Sequence, residues 1–161
     1  MAAIEVVEAE LGRPQHSAAL VTLLSEYASD PMGGAADLEP YVKATLAVEL
    51  QRRSNVHVVL AFVNDVPSGL VICIEGFSTF ACKPLLNIHD VVVTAEQRGK
   101  GLFSRMLIKV EEIAVRLGCC KLTLEVLEGN HAATAVYAKA GFAGYELDPE
   151  LGKAMFWQKK L

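Results

Sequence analysis

The stretch IHDVVVTAEQRGKGL, residues 88–102, decides the fold of this chain. It begins as a β-branched, apolar strand, continues into the loop Arg98–Gly101, which alternates basic side chains with glycines, and opens into an amphipathic helix. Glycine frees main-chain N–H groups, and the first turn of a helix leaves further N–H groups unpaired at the positive end of its dipole. The junction therefore predicts an anion site suited to phosphate or pyrophosphate.

Two better-known phosphate loops do not fit this stretch. A dinucleotide fingerprint that began at Gly99 would need a small glycine or alanine where Ser104 stands, and no early strand–helix–strand unit precedes it. A Walker loop would need Ser or Thr after Lys100, and Gly101 stands there instead. A nucleotide-binding or nicotinamide-dependent enzyme is therefore disfavoured.

The 161 residues fit a single domain, residues 1–161, and the bulk properties exclude several classes of protein. The longest apolar runs, such as Val71–Ile74, are far shorter than the roughly 20 residues that span a bilayer. The N-terminus has no basic region followed by an apolar one, so a cytoplasmic location is expected and no membrane partner. The net charge of −4 argues against a nucleic-acid partner.

The four cysteines give no metal or disulfide signal. They lack C-x-x-C spacing and a nearby histidine pair, so buried or idle thiols are expected and no metal is predicted. They are Cys73, Cys82, Cys119 and Cys120.

Periodicity and turn residues predict the remaining elements. The predicted strands cover residues 4–8, 56–63, 70–77, 86–93, 121–126, 142–147 and 155–158, and the predicted helices cover 14–29, 37–50, 101–117 and 130–140. Asp37 is expected to cap the second helix, Asn130 to cap the last, and Asn64–Gly69 to form a hairpin turn. Asp30–Ala36 is expected to be the most mobile loop. A central strand–helix–strand unit with hairpins around it predicts a mixed α/β or α+β sheet.

Two motifs resemble the Gcn5-related N-acetyltransferase (GNAT) superfamily, nearest to its small-amine and diamine acetyltransferases. The loop and helix start, RGKGLF at 98–103, match the arginine and first glycine of [QR]-x-x-G-x-[GA], and Phe103 departs from the small final residue. Downstream, LTLEVLEGNHAATAVYAKAGF at 122–142 is similar to the second block of the superfamily, with an asparagine, a tyrosine seven positions later and a closing Gly-Phe. The segment IHDVVV is similar to the Ile-Glu-Asp run of small-amine acetyltransferases, with His89 in place of glutamate.

The resemblance implies a mostly antiparallel sheet of six or seven strands with a splayed parallel pair, flanked by about four helices. It implies acetyl-CoA as the acetyl donor, with a bulge opening a slot for its thioester. Its contacts would come from Val91 and Val93 to the pantetheine arm, from Asn130 to the same arm, and from the main chain of Arg98, Gly99, Lys100, Gly101, Leu102 and Phe103 to the pyrophosphate. Phe103 is expected to face the core. Members of the superfamily often form dimers, so a homodimer is expected.

Acetyl transfer to an amine needs a base and an acid. An alkylamine with a pKa near 10.4 is unprotonated in only about one molecule in a few thousand at pH 7, and the departing thiolate gains from a proton donor. Tyr137 matches the tyrosine of the superfamily and is expected to be that acid. His89 is a candidate base, since imidazole has an ordinary pKa near 6.5, and Asp90 either orients it or attracts a cationic amine. Successive strand residues face opposite sides, so only one of the pair reaches the slot unless the bulge re-aims the other.

Three functions follow from these motifs. The first is an N-acetyltransferase that moves an acetyl group from acetyl-CoA to a primary amine of a small molecule, by direct attack in a ternary complex. The second is a non-catalytic acyl-CoA sensor, and the third is a protein N-acetyltransferase. The strand carboxylates Glu75 and Glu125 stay outside the catalytic set because such groups are usually solvated.

Overall fold

Five strands form one sheet, and they lie side by side in chain order. The computed structural model describes residues 2–161, and within them the strands are β1 (Ile4–Glu8), β2 (Val56–Val63), β3 (Val66–Ser78), β4 (Lys83–Val93) and β5 (Leu122–Leu124). The first four strands pair antiparallel, and β5 pairs parallel with β4. The helices are α1 (Pro14–Ser29), α2 (Pro40–Gln51), α3 (Leu102–Arg116) and α4 (His131–Lys139). The mixed α/β fold with a parallel pair and four helices is confirmed, although the sheet has five strands where six or seven were expected.

The chain divides into two compact units, residues up to Leu124 and residues 125–161. The first unit contains the whole sheet and the helices α1, α2 and α3. The second contains α4 and a short turn of 3-10 helix, Pro149–Leu151. The assignment of residues 1–161 to a single domain stays a prediction.

The hairpin of β2 and β3 turns more tightly than predicted. Asn64 and Asp65 have φ values of 49° and 64°, so the turn is a two-residue loop with both central residues in the left-handed region. Asn and Asp tolerate that region better than most residues, and β3 therefore begins at Val66. A register shift after Ala61 leaves Ser68 as the extra residue of β3, so Pro67 lies next to a bulge, where proline is tolerated in a strand.

Each face of the sheet is covered by different helices. Val58, Ile72 and Val92 face α1, where they pack with Leu20, Leu23 and other buried side chains. Alternate residues on the opposite face meet α3, whose inward stripe is Met106, Val110 and Ile113, all fully buried. A Cβ on Gly69 would lie 2.7 Å from the Met106 sulfur, so a glycine here lets the helix approach β3 closely.

The start of α2 differs from the prediction. The N-cap is Glu39 and the first helical residue is Pro40, which has no N–H to satisfy and is already fixed in a helical φ. Asp37 lies outside the helix, where its carboxylate accepts from the Leu38 N–H and pairs with Lys43. The prediction that Asp37 caps this helix is therefore wrong.

The two strands predicted near the C-terminus are also wrong. Among residues 125–161, the pairing is limited to one bridge between Glu146 and Lys153. Asp148 accepts from the Glu150 N–H at 2.9 Å and starts the 3-10 turn, which interrupts the alternation. The apolar side chains of this segment are exposed, Trp157 by 82%, so burial does not stabilise a ladder here.

No helix of the described residues is long and apolar enough to cross a membrane.

Candidate acetyl-transfer site

A β-bulge lies at His89, where the sequence predicted the reacting groups to meet. Ile72 of β3 pairs with Asp90, but the next residue, Cys73, pairs with Ile88, so His89 is the extra residue. The parallel pairing of β4 with β5 ends at the same point, with Ile88 opposite Leu124. A bulge is therefore present in β4, at His89 in the antiparallel ladder with β3 and not near Val91–Val93, where the resemblance implies that the parallel strands separate.

The bulge changes which side chains share a face. Ile72 belongs to the core under α1, so Asp90, which is opposite Ile72, is directed to the α1 side. His89 is exposed and is inserted beside Asp90 at that step of the ladder. The bulge therefore places both residues opposite Ile72, and which of them reaches the slot stays a prediction.

Asp90 has the surroundings of a binding group. Burial raises the pKa of its carboxyl, and the neighbouring charge of His89 offsets part of that rise. Among the described residues it has neither a hydrogen-bond nor an ion-pair partner, and its oxygens are not sealed from solvent. A half-buried carboxylate with a raised pKa, without a protein partner among the described residues and with oxygens open to a ligand, marks a functional-site candidate.

Tyr27 of α1 is a site residue that the sequence reasoning missed. Burial raises the pKa of its hydroxyl, and the charges of Asp90 and Asp30 raise it further, which places the phenol near both carboxylates. The hydroxyl lies 3.5 Å from the Met32 carbonyl oxygen. Its position in an apolar helical stripe gave no signal of this role, because a tyrosine packed by its ring fits the same pattern.

The donor loop, residues 98–103, presents main-chain N–H groups at the start of α3. Gly99 and Gly101 have φ values of 73° and 78°, the left-handed region that glycine enters without strain. Within the described residues, the N–H groups without a hydrogen-bond partner at this turn are those of Gly99, Gly101, Leu102 and Ser104. These donors and the helix dipole have the geometry on which the predicted anion site depends, and the binding of an anion here stays a prediction.

The side chains of the donor loop point in several directions. Leu102 and Phe103 are buried, and Phe103 faces the core as predicted. Lys100 is exposed and makes no ion pair within residues 2–161, so its ammonium group is available to a phosphate. Because Phe103 is buried, its side chain, which is larger than the glycine or alanine of the motif, is accommodated inside the protein.

Arg98 is engaged differently from Lys100. Its Nε donates to the Val93 carbonyl oxygen at 3.1 Å, and its Nη2 lies 3.4 Å from Asp30 Oδ2. Val91 and Val93, predicted to contact the pantetheine arm, are half-buried beyond the last residue pair of the β4–β5 ladder. The Arg98 side chain thus braces the end of β4.

Asn130 and Tyr137 lie in the second unit. Asn130 caps α4 by accepting from the Ala133 N–H at 3.2 Å, which confirms the predicted cap. Tyr137 lies on α4, partly exposed, with its ring 6.1 Å from Phe142 in an edge-to-face contact. Their roles toward the donor stay predictions.

A second polar cluster occupies the opposite face of the sheet. His57 Nε2 lies 2.7 Å from Glu75 Oε1, and its Nδ1 lies 3.4 Å from Glu8 Oε1. Arg116 donates two hydrogen bonds to Glu8, at 2.8 and 2.9 Å, and these hold the pKa of that carboxyl below its usual value. A recess of about 380 Å³ opens beside His57, between the end of α2 and the start of α1. Glu75 is thus a partner of His57.

Residues 2–161 contain no group of three His, Cys, Asp or Glu side chains placed to hold a metal ion.

Residues 19–142 match the model of the acetyltransferase (GNAT) family. The thialysine N-epsilon-acetyltransferase of Bos taurus is 39% identical over 54 residues, which are 34% of this chain and 32% of the relative. The enzyme of the same name from Caenorhabditis elegans is 25% identical over 124 residues, 77% of this chain and 75% of the relative. The chain thus matches about a third of the length of the bovine relative.

A solved aminoglycoside N-acetyltransferase in complex with CoA superposes with a TM-score of 0.76. The superposition covers all of this chain and 97% of the other, at 13% identity. At that identity the likeness concerns the fold alone.

Proposed function

This chain belongs to the acetyltransferase (GNAT) family, and from that premise we propose that it is an acetyl-CoA-dependent N-acetyltransferase that acts on a primary amine of a small molecule. The acetyl group passes by direct attack of the amine in a ternary complex. The carrying observation is the position of an exposed His89 beside a half-buried Asp90, which has no hydrogen-bond or ion-pair partner among residues 2–161, at the bulge where the parallel ladder of β4 and β5 ends.

The donor loop supports the choice of acetyl-CoA. Its unpaired N–H groups suit a pyrophosphate, and Lys100 and Arg105 are exposed cations beside them. Val91, Val93 and Asn130 are the proposed contacts of the pantetheine arm. When bound, acetyl-CoA supplies the activated acetyl thioester, and the chain supplies the proton chemistry.

The acceptor amine arrives as a cation, and the bulge has the groups to receive it. Asp90 attracts the ammonium, and the pair of Asp90 and His89 takes the proton that the amine must lose before it attacks. Tyr27 adds a polar hydroxyl near Asp90 on the α1 side. We therefore propose a small cationic amine as the acceptor, in keeping with the names of the curated relatives.

A covalent acetyl-cysteine step is not part of the proposal. Burial raises the pKa of Cys73 to about 12, and burial followed by the charge of Glu75 raises that of Cys119. Neither thiol is set up to be a thiolate nucleophile at neutral pH.

The experiment that tests the function is CoA release from acetyl-CoA in the presence of single amines. The panel should contain thialysine, lysine, polyamines, an aminoglycoside, an amino sugar phosphate and a peptide with a free α-amine. Turnover with a small amine and none with the peptide is the expected result. Turnover with the peptide alone would support the protein N-acetyltransferase, and tight CoA binding without any turnover would support the acyl-CoA sensor.

Tyr137 is proposed as the acid that protonates the departing thiolate. Tyr137→Phe keeps the ring and its contact with Phe142 but removes the proton, so kcat is expected to fall about 100-fold with little change in the KM for acetyl-CoA. Tyr145→Phe, the same change at an exposed tyrosine of the second unit, is the matched control. A kcat of Tyr137→Phe within threefold of the parent would remove this assignment.

A cytoplasmic location and a homodimer complete the proposal. Both come from the sequence expectations, and sedimentation of the purified chain together with cell fractionation would check them.

A further inference from the structure

Asp30 and Arg98 join two loops that the proposed reaction would use for different purposes. Arg98 begins the donor loop, while Asp30 follows the last residue of α1 and begins the acceptor-side loop, residues 30–36. Arg98 Nη2 lies 3.4 Å from Asp30 Oδ2, across 68 residues of chain. This ion pair is a direct link between the two loops.

Arg98 is fixed from the donor side. Its Nε donates to the carbonyl oxygen of Val93, the last residue of β4, and its N–H donates to the Thr94 carbonyl oxygen at 3.2 Å. One edge of the guanidinium is therefore held by the strand, and the other edge is presented to Asp30. The fixed planar geometry of the group lets it act as a spacer between the two loops.

Asp30 is fixed from the acceptor side. Its Oδ1 accepts from the Met32 N–H at 2.9 Å, and its carbonyl oxygen accepts from the N–H groups of Gly33 and Ala35 at 2.8 and 3.0 Å. The two carboxylate oxygens thus have separate tasks, one within the loop and one toward Arg98. The segment expected to be the most mobile loop is folded around this residue.

The acceptor-side loop also contacts the residues near the bulge. A Cβ on Gly33 would lie 1.9 Å from the Tyr27 carbonyl oxygen, so the loop packs directly on the end of α1. The Met32 carbonyl oxygen is near the Tyr27 hydroxyl, and Tyr27 is close enough to Asp90 to sense its charge. A shift of the acceptor-side loop would therefore change the surroundings of Asp90, the group proposed to receive the amine.

We propose that Asp30 is a positioning residue that, through Arg98, couples occupancy of the donor loop to the order of the acceptor-side loop. This inference rests on the proposed function, because it takes the donor loop to be the site of CoA. An anion held by the N–H groups of the donor loop reduces the motion of that loop, and the guanidinium of Arg98, which begins the loop, then restrains Asp30 and the loop that Asp30 organises. The donor would thereby prepare the acceptor side.

The test is hydrogen exchange of the full chain with and without saturating CoA, with the affinity for CoA measured by calorimetry. In the parent, CoA is expected to slow amide exchange in residues 30–36 by at least threefold. In Asp30→Asn, the amide oxygen still accepts from Met32 but the charge facing Arg98 is gone. That variant is expected to bind CoA within threefold of the parent and to lose the CoA-dependent protection.

Two further variants make the result specific. Asp30→Glu keeps the charge and should retain part of the protection. Asp37→Asn makes the same change at an exposed aspartate that pairs with Lys43 and not with the donor loop, so it should keep the full protection. For any amine that turns over, Asp30→Asn should raise the acceptor KM severalfold and leave kcat within twofold.

Failure of the inference is distinct from failure of the function. CoA binding to the parent without protection of residues 30–36, or equal protection in Asp30→Asn, would overturn the coupling and leave the proposed function standing. Absence of CoA binding to the parent would overturn the proposed function, and the coupling with it.

Discussion

Two histidines that lie two strands apart in the same sheet, on β2 and β4, have opposite surroundings. His57 pairs across the sheet with Cys73, which in turn pairs with Ile88, the neighbour of His89. His57 therefore lies only about 10 Å, two strand spacings, from the bulge. Yet His57 is held between Glu75 and Glu8, whereas His89 is exposed beside Asp90, which has no hydrogen-bond or ion-pair partner in the described part of the chain.

The difference separates a structural cluster from a reactive one. Around His57 each carboxylate has a partner, and Arg116 completes the set, as expected of half-buried polar groups in a folded domain. Around His89 the strand has an extra residue, and the neighbouring carboxylate, which has no partner among the described residues, is the group that we propose to receive the amine. Polar groups with partners stabilise the fold, and those without partners are where substrate chemistry is expected.

The largest expected effect is on catalysis by Asp90→Asn. The variant keeps the shape of the side chain but loses the charge and the basicity, so kcat/KM for the amine is expected to fall about 100- to 1,000-fold. Glu75→Gln makes the same chemical change in the structural cluster and should leave kcat/KM within threefold. CoA release at saturating acetyl-CoA measures both, and equal losses in the two variants would erase the distinction between the clusters.

Substitution of His57 should reduce stability and not activity, whereas substitution of His89 should reduce activity and not stability. His57→Ala leaves Glu75 without a partner and Glu8 with Arg116 only, so the free energy of unfolding is expected to fall by about 2 kcal/mol, with kcat unchanged. His89→Ala removes an exposed side chain, so stability should change by less than about 0.5 kcal/mol while kcat/KM falls about tenfold or more. Urea unfolding and CoA release give the two numbers, and a destabilised His89→Ala would assign that residue to the fold.

The local elements of the fold were predictable because their signals are local. Pro14 at the first turn of α1, Gly118 after α3 and Asn130 at the cap of α4 act within a few residues of their own position. The prediction failed at Asp37 because Pro40 offered a better helix start three residues later. The last two predicted strands failed because alternation alone does not supply a partner for a ladder.

The sequence predicted which segments supply the candidate site, but it did not predict the contacts between segments that are distant in the chain. The sequence placed His89 and Asp90 at the slot and the anion loop at Gly99–Gly101. It contained no sign that Tyr27 approaches Asp90 or that Asp30 pairs with Arg98, because each contact joins segments more than 60 residues apart. The family resemblance implied a bulge, but the sequence did not show that His89 is the extra residue, since a bulge is defined by the register of β3 against β4.

Asp90 should lower stability while it serves catalysis. Burial raises the pKa of its carboxyl, so between its unfolded and folded pKa values the native state binds more protons, and stability falls as pH rises. Asp90→Asn removes this cost, and the variant is expected to be more stable than the parent at pH 7 by up to about 1 kcal/mol. The gain should vanish well below the ordinary pKa of 3.8, where the Asp90 carboxyl is protonated in both states of the parent. A less stable Asp90→Asn at pH 7 would show that the carboxylate supports the fold.

The smallest effect is expected from Glu8, with the opposite sign. The hydrogen bonds from Arg116 lower the pKa of this carboxyl, so its contribution to stability is complete above the unfolded value near 4.5 and is lost as pH falls through the folded value. Because the side chain is one-third exposed, solvent screens the pair, and the contribution should stay below about 1 kcal/mol. Parent stability should therefore fall more steeply than that of Glu8→Gln between about pH 5 and pH 3.

Arg116→Gln should remove most of this difference, since the remaining partner of Glu8 is His57 at 3.4 Å. Identical slopes in the parent and Glu8→Gln would mean that His57 keeps its place without Glu8, and the structural cluster would then reduce to His57 and Glu75.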